Sequence, residues 1–201
     1  MIRSFKSKGL AELWEKGRTG RIDAKMQARI LRRLDRLDVI VRPEEMNVPG
    51  FNFHPLRGFK PTRYSVHVNG PWCITFEFEE GDACRIDFEQ YHQGRSIMVH
   101  VVKRYSSRCP SHPGALLRED VIPATGRTKA EIAHLLGISR QHLYDILRER
   151  KPVSPVVAVR LGKLFGDGAG VWVRMQAAYD TWNAERKEDV SKIPTLRVKA
   201  A

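Results

Sequence analysis

Three short runs of alternating character, RYSVHVN (63–69), WCITFEFE (72–79) and ACRIDFEQY (83–91), follow one another directly. Only the turns Asn69-Gly70-Pro71 and Glu80-Gly81-Asp82 separate them. Connections that short join antiparallel neighbours, so the stretch predicts a three-stranded meander. With Val68 opposite Trp72, Val66 meets Ile74 and Tyr64 meets Phe76. With Phe78 opposite Cys84, Phe76 meets Ile86 and Ile74 meets Phe88. That register gathers the large apolar side chains on one face, and a slip of one residue would turn them all to water. The other face then carries Arg63, His67, Cys73, Thr75, Glu77, Arg85, Asp87, Glu89 and Tyr91, with Glu77 across from Arg85.

A sheet with one apolar face needs a cover, and the residues before it supply one. IRSF (2–5) reads as a short strand and SKGLAELWEKG as a short helix closed by Gly17. From Arg21 to Val41, Ile22, Met26, Ile30, Leu34, Leu37 and Val41 recur at spacings of three and four, which predicts a helix stopped by Pro43. Lys25, Arg29, Arg32, Arg33 and Arg36 are expected on its surface, as a solvated face or one suited to RNA or an acidic partner. NVPGFNFHPLRGFKPTR reads as a loop and brings His54, Arg57, Lys60 and Arg63 beside the polar face of the sheet, while His92 follows the last strand.

Such a set can cleave RNA without a metal. A base removes the proton of the ribose 2′-OH, cations such as Arg57, Lys60 and Arg63 hold the phosphate, and an acid protonates the leaving 5′-oxygen. Histidine suits the proton transfers because its pKa lies near neutrality. Against this stands the plainer reading, in which an exposed histidine is only surface and Tyr91 caps the sheet edge. The run FHPLRG…YSVHVNGPWCITFEFEEGDACRIDFEQYH resembles the HigB branch of the RelE-like toxins over nearly all of residues 1–92. The resemblance implies a compact α/β fold and ribosome-dependent cleavage of messenger RNA. It places catalytic functions on His54, Tyr91 and His92, with Arg57 and Lys60 as phosphate-binding candidates. One position departs from the pattern: after the tryptophan of NGPW the family usually has arginine, and this chain has Cys73. A neutral thiol cannot stabilise a pentacovalent phosphate, and losing one well-placed donor costs ~10²–10³ in rate.

The second half carries TKAEIAHLLGISRQHLYDILRER (128–150). Ile132, Leu136, Ile138, Leu143 and Ile146 are apolar, Ala133 is small, and Gly137 permits the positive φ of a tight turn. This predicts a helix-turn-helix with Ser139 capping its second helix. That helix would enter the major groove with Ser139, Arg140, Gln141 and Tyr144 facing DNA, while Thr128, Lys129, Arg148 and Lys151 suit phosphates. His142 is open between the two roles. A helix ended at Pro123 is expected upstream, and downstream SPVVAVRLGKLFG and GAGVWVRMQAAYDTWNAERK read as two more. Their Val156, Val159, Leu161, Leu164, Phe165, Val171, Trp172 and Met175 are expected as core or dimer contacts. From Cys109 to about Lys187 the chain resembles HigA antitoxins of the Cro/phage-repressor-like class, marked by HPG..LRED, VRLGKLFG and W..MQAAYD. That resemblance implies a homodimer on a palindromic operator that represses its own toxin–antitoxin operon.

Charge fits a nucleic-acid partner or an ordinary solvated surface, in two basic regions that flank an acidic one. The chain has a formal charge of +12, with 15 Lys/Arg against 7 Asp/Glu in residues 1–63, 2 against 6 in 64–97, and 18 against 10 in 98–201. Cys73, Cys84 and Cys109 form no CxxC pair or metal-ligand spacing, so reduced thiols and neither metal nor cofactor are expected. No apolar run approaches a membrane span and no signal-peptide core is present, which gives a cytoplasmic expectation. The expected organisation is a two-domain chain: α/β toxin (1–92), connector (93–108) with Met98 as a former start, all-α helix-turn-helix antitoxin (109–187), and a polar tail (188–201). Toxin and antitoxin would pair within one chain or between chains. The alternative is a DNA-binding regulator whose first half is a catalytically impaired nuclease kept as an interaction module.

Overall fold

The computed structural model describes residues 1–90, the backbone of His100–Val101 and residues 108–196. Tyr91, His92 and Met98 lie outside the described residues. In the first half, β1 (Ser4–Phe5), α1 (Lys8–Lys16) and α2 (Ala24–Val39) precede a 3₁₀ turn (Pro43–Met46) and β2 (His54–Leu56). Then come β3 (Arg63–Asn69), β4 (Trp72–Glu79) and β5 (Asp82–Gln90), and β6 (His100–Val101) lies beyond. The sheet order is β2-β3-β4-β5-β1-β6, with β1 parallel to β5 and the other pairs antiparallel.

Both helices form where their caps and apolar faces dictate. Ser7 caps α1 by accepting from Leu10 N, and Gly17 ends it at φ 74°. Asp23, two residues beyond the expected start, caps α2. Leu10, Leu13 and Trp14 of α1 and Ile30, Leu34 and Leu37 of α2 are buried with Phe5, Val66, Ile74, Phe76 and Ile86 of the sheet. The predicted pairs Val66–Ile74, Tyr64–Phe76 and Ile74–Phe88 form. Two bulges shift the rest. Asn69, not Val68, pairs with Trp72, and Phe78 pairs with Ala83, not Cys84. The second shift accompanies a left-handed Arg85 at φ 50°, an extra residue of the kind that bends and twists a strand. Arg85 still reaches Glu77, with Nε 2.6 Å from its carboxylate.

The second half is all α. Pro113–Leu116 (α3), a π turn at Leu117–Val121 and Ile122–Ala124 (α4) follow one another without a break, so the helix passes the expected stop at Pro123 by one residue. The turn ahead of Pro123 is wider than α, a usual companion of a proline that cannot donate its amide. The helices α5 (Lys129–Leu135) and α6 (Arg140–Leu147) form the helix-turn-helix, and α7 (Pro155–Phe165) and α8 (Ala169–Lys187) complete the bundle. Gly137 holds the turn at φ 61°. Leu161, Val171, Trp172 and Met175 are core, whereas Val156 and Val159 stand 63% and 62% exposed. Buried side chains of the two halves form one contiguous cluster.

His112 caps α3 as a neutral ring: its Nδ1 accepts from Gly114 N at 2.9 Å, and Tyr179 packs edge-on against it. Burial lowers its pKa below the ordinary 6.5. The cap is therefore fully present above the unfolded value and is lost as pH falls through 6.5 toward the lowered folded value. The expected outcome is a fall in stability of about 1 kcal/mol on acidification, the usual worth of an N-cap. His112→Asn keeps an acceptor without the titration. Its melting temperature, compared with the native chain's across that pH range, should show the flatter profile.

Candidate functional site

Two separate faces carry the residues expected to act. On the first, β2 places His54 opposite Ser65, Ser65 opposite Thr75, and Thr75 opposite Asp87. Directly opposed residues share a face, so His54 lies in one row with Ser65, Thr75 and Asp87. The segment expected to be a loop thus gains a strand that fixes His54 on the polar side. His54 Nδ1 lies 2.8 Å from Asn52 O. Arg57, Phe59 and Lys60 follow it in an exposed turn.

This face is less open than the alternation implied. Arg63, Cys73, Thr75 and Glu77 are all buried. Arg63 donates to Thr75 Oγ1 at 2.6 Å and pairs with Glu89 at 2.9 Å and Asp87 at 3.6 Å. Thr75 Oγ1 in turn donates to Glu89 at 2.5 Å. Arg63, expected among the phosphate ligands, is therefore already held by two carboxylates. Cys73 pairs with His67 and Glu89 as expected, and its Sγ donates to Glu89 O at 3.4 Å. Burial pushes its thiol pKa up, which disfavours the thiolate. Tyr91 and His92 cannot be placed against His54 because they lie outside the described residues. Sequence reasoning passed over Phe59, which is 47% exposed, with the Arg63 guanidinium 5.6 Å from its ring centre. The signal was present in the alternation of basic and aromatic residues from Arg57 to Lys60.

The second face is the helix-turn-helix. Thr128 caps α5 in a capping box with Glu131, and Ser139 caps α6 by accepting from His142 N at 3.1 Å. Those caps aim the start of α6 outward, and Arg140, Gln141, Tyr144, Arg148 and Lys151 are all exposed. The cations of Lys129 and Arg148 sit 5.6 Å and 5.9 Å from the Tyr144 ring centre, so the phosphate candidates flank the expected base-facing side. Arg160, not anticipated from the sequence, donates to Leu136 O at 2.9 Å and Gly137 O at 2.6 Å and so braces the turn.

Between the halves, the arginines of α2 are not a free surface. Asp120 on the π turn accepts from Arg32 at 2.5 Å and Arg33 at 2.9 Å and lies 3.3 Å from Arg29. Arg36 is wholly buried against Asp167 at 2.5 Å and stacks on Trp172 at 4.8 Å. Asp35 answers from α2, accepting from Arg108 at 2.6 Å and 3.1 Å and from Ser111 Oγ at 2.7 Å. Burial lowers the Arg36 pKa and raises that of Asp167, so desolvation outweighs their attraction at that pair.

Residues 3–92 match the family described as the RelE-like toxin of type II toxin–antitoxin system HigB. Endoribonuclease HigB of Proteus vulgaris is 41% identical over 92 residues, which are 46% of this chain and 100% of that protein. The chain belongs to the HigB family of RelE-like toxins. Virulence-associated protein I of Dichelobacter nodosus is 34% identical over 90 residues, 44% of this chain and 83% of that protein. Among solved structures, the Pseudomonas aeruginosa antitoxin HigA with higBA promoter is similar at a TM-score of 0.37 and 32% identity. The match covers 38% of this chain and 84% of that one. The HigB-like match ends at residue 92, and the helix-turn-helix lies wholly beyond it. Among the described residues no helix is long and apolar enough to cross a membrane, and no group of three His, Cys, Asp or Glu is placed to hold a metal.

Proposed function

We propose that the chain is a toxin–antitoxin module on one polypeptide: toxin in 1–92, connector in 93–108, helix-turn-helix antitoxin in 109–187 and a polar tail in 188–201. The observation that carries this reading is the clasp of Asp120 on Arg29, Arg32 and Arg33. A cationic row in the HigB-like half is covered by an acidic residue of the helix-turn-helix half, within one chain. In this reading the first half cleaves messenger RNA on the ribosome. His54 and His92 carry the proton transfers, Tyr91 lies beside the reacting phosphate, Arg57 and Lys60 hold it, and Phe59 stacks on a base. The second half binds a palindromic operator as a homodimer and represses its own operon. Covering α2 then restrains the toxin without filling the catalytic face. Both activities belong to the cytoplasm, where ribosomes and operator DNA are found.

The experiment has two arms. Ribosome-programmed mRNA is incubated with the native chain and with Asp120→Ala, and cleavage is mapped; cleavage that is absent in both removes the nuclease reading. DNA from upstream of the coding sequence is titrated with the native chain, Arg140→Ala and Gln141→Ala. Each substitution is expected to weaken binding by about 1–3 kcal/mol. Unchanged affinity in both would point to a general nucleic-acid binder. The buried Cys73 and the carboxylate-bound Arg63 favour a second reading, a DNA-binding regulator with an impaired nuclease half. Cys73→Arg tests it, because gained cleavage would identify the missing cation as the defect.

A further inference from the structure

Behind the residues expected to meet DNA lies a carboxylate that meets none itself. Asp145, one turn after Gln141 on α6, accepts a hydrogen bond from Gln141 Nε2 at 2.8 Å. It also pairs with Lys151 at 3.1 Å, and only 14% of its side chain is exposed. Its position is fixed from the backbone too, because its carbonyl accepts from Arg150 N at 2.8 Å and Lys151 N at 3.2 Å. The hydrogen bond from Lys151 holds its pKa below the usual carboxylate range, so the group is ionised.

An ionised carboxylate only accepts hydrogen bonds. A glutamine amide has two orientations related by a flip, and facing a carboxylate only one of them is allowed, with the NH₂ group inward. One Nε2 hydrogen is then committed to Asp145. Oε1 and the second Nε2 hydrogen remain, an acceptor and a donor side by side. In the major groove adenine presents the matching pair, an N6 donor beside an N7 acceptor, whereas guanine presents two acceptors. Against guanine, Oε1 would face another acceptor.

We infer that Asp145 is a positioning residue that sets base choice: it holds Gln141 in the orientation that reads adenine. This rests on the reading of α6 as the recognition helix. Lys151, bound to the same carboxylate, is kept away from Gln141's free edge and left to the phosphates.

The test uses the full chain and a pool of duplexes with a randomised centre of about 20 base pairs, enough for two half-sites. Bound duplexes are sequenced. The native chain is expected to enrich one adenine column in each half-site, and Gln141→Ala erases that column. Asp145→Ala weakens the preference there by about tenfold, within the range one bidentate contact supplies. The remaining columns hold. Asp145→Asn, whose amide can donate or accept, gives a mixed column at that position. Affinity for unselected duplex does not fall in Asp145→Ala, because a negative charge near the phosphates has been removed. An adenine column at full strength in Asp145→Ala overturns the inference while leaving DNA binding intact. Equal loss of every column overturns it also, by showing a merely structural role. If the native chain enriches no sequence at all, the DNA-binding reading fails and the inference falls with it.

Discussion

Asp120→Ala in the full chain is expected to lose about 3–5 kcal/mol of stability, read as a lower urea midpoint than the native protein's, the cost of leaving a buried charge without its partner. Arg33 is 2% exposed in its side chain and Asp120 1%, so solvent cannot substitute for the missing carboxylate. Arg32 offers the internal comparison. Its side chain is 14% exposed, and Arg32→Ala leaves Asp120 with Arg33 and Arg29. A loss of about 1 kcal/mol is expected there, because the buried acceptor keeps charged partners. Urea titrations of both variants against the native chain give the comparison, and equal losses would mean that Asp120 is not the centre of the contact. If covering α2 restrains the toxin, Asp120→Ala also arrests growth at an expression level that the native chain tolerates.

The second large effect lies at His54. His54→Ala is expected to lower mRNA cleavage by ~10²–10⁴, the range a general acid or base supplies. Folding stability should hardly change, because His54 is only partly buried on β2, at the edge of the sheet. The pair of measurements matters more than either alone. Cleavage lost with an unchanged urea midpoint assigns His54 to chemistry, whereas cleavage retained would move the proton transfers elsewhere on this face. Measuring both in the Asp120→Ala background separates loss of chemistry from restraint by the second half.

How much of this was readable in advance follows from the range of each interaction. The strands β3 and β4 have the bounds the alternation implied, and β5 starts one residue earlier, at Asp82, because a period of two and a tight turn are local facts; its expected last residue, Tyr91, lies outside the described residues. The bulge at Arg85 was not readable, since one left-handed residue shifts a register without altering the pattern around it. Strand β2 was hidden by Pro55 and the glycines near it, although Pro at the edge of a sheet leaves no ladder bond unmade. The arginines of α2 were seen and their fate was not. Arg33 meets a residue 87 positions away and Arg36 one 131 away, and no spacing rule reaches that far. On the candidate RNA face, alternation put Arg63, Cys73 and Glu89 on the correct side but did not show that Glu89 would occupy Arg63. On the DNA face, the exposed side of α6 was legible from helical period alone, whereas Asp145 and Arg160 act through contacts that need coordinates.

The π turn at Leu117–Val121 is five residues long, yet it touches both candidate faces' supporting helices, α2 and α6. Asp120 reaches back to the arginines of α2, and Arg118 donates to Leu147 O at the end of α6 and pairs with Glu149 at 3.2 Å. Mutations in most proteins can adjust one trait and spare another, but this turn offers no such independence. Drift at Asp120 would loosen the hold on α2 and drift at Arg118 the hold on the end of α6, and both act through the same turn. Few routes of neutral change should therefore be open to Arg118 and Asp120, however freely the neighbouring surface varies.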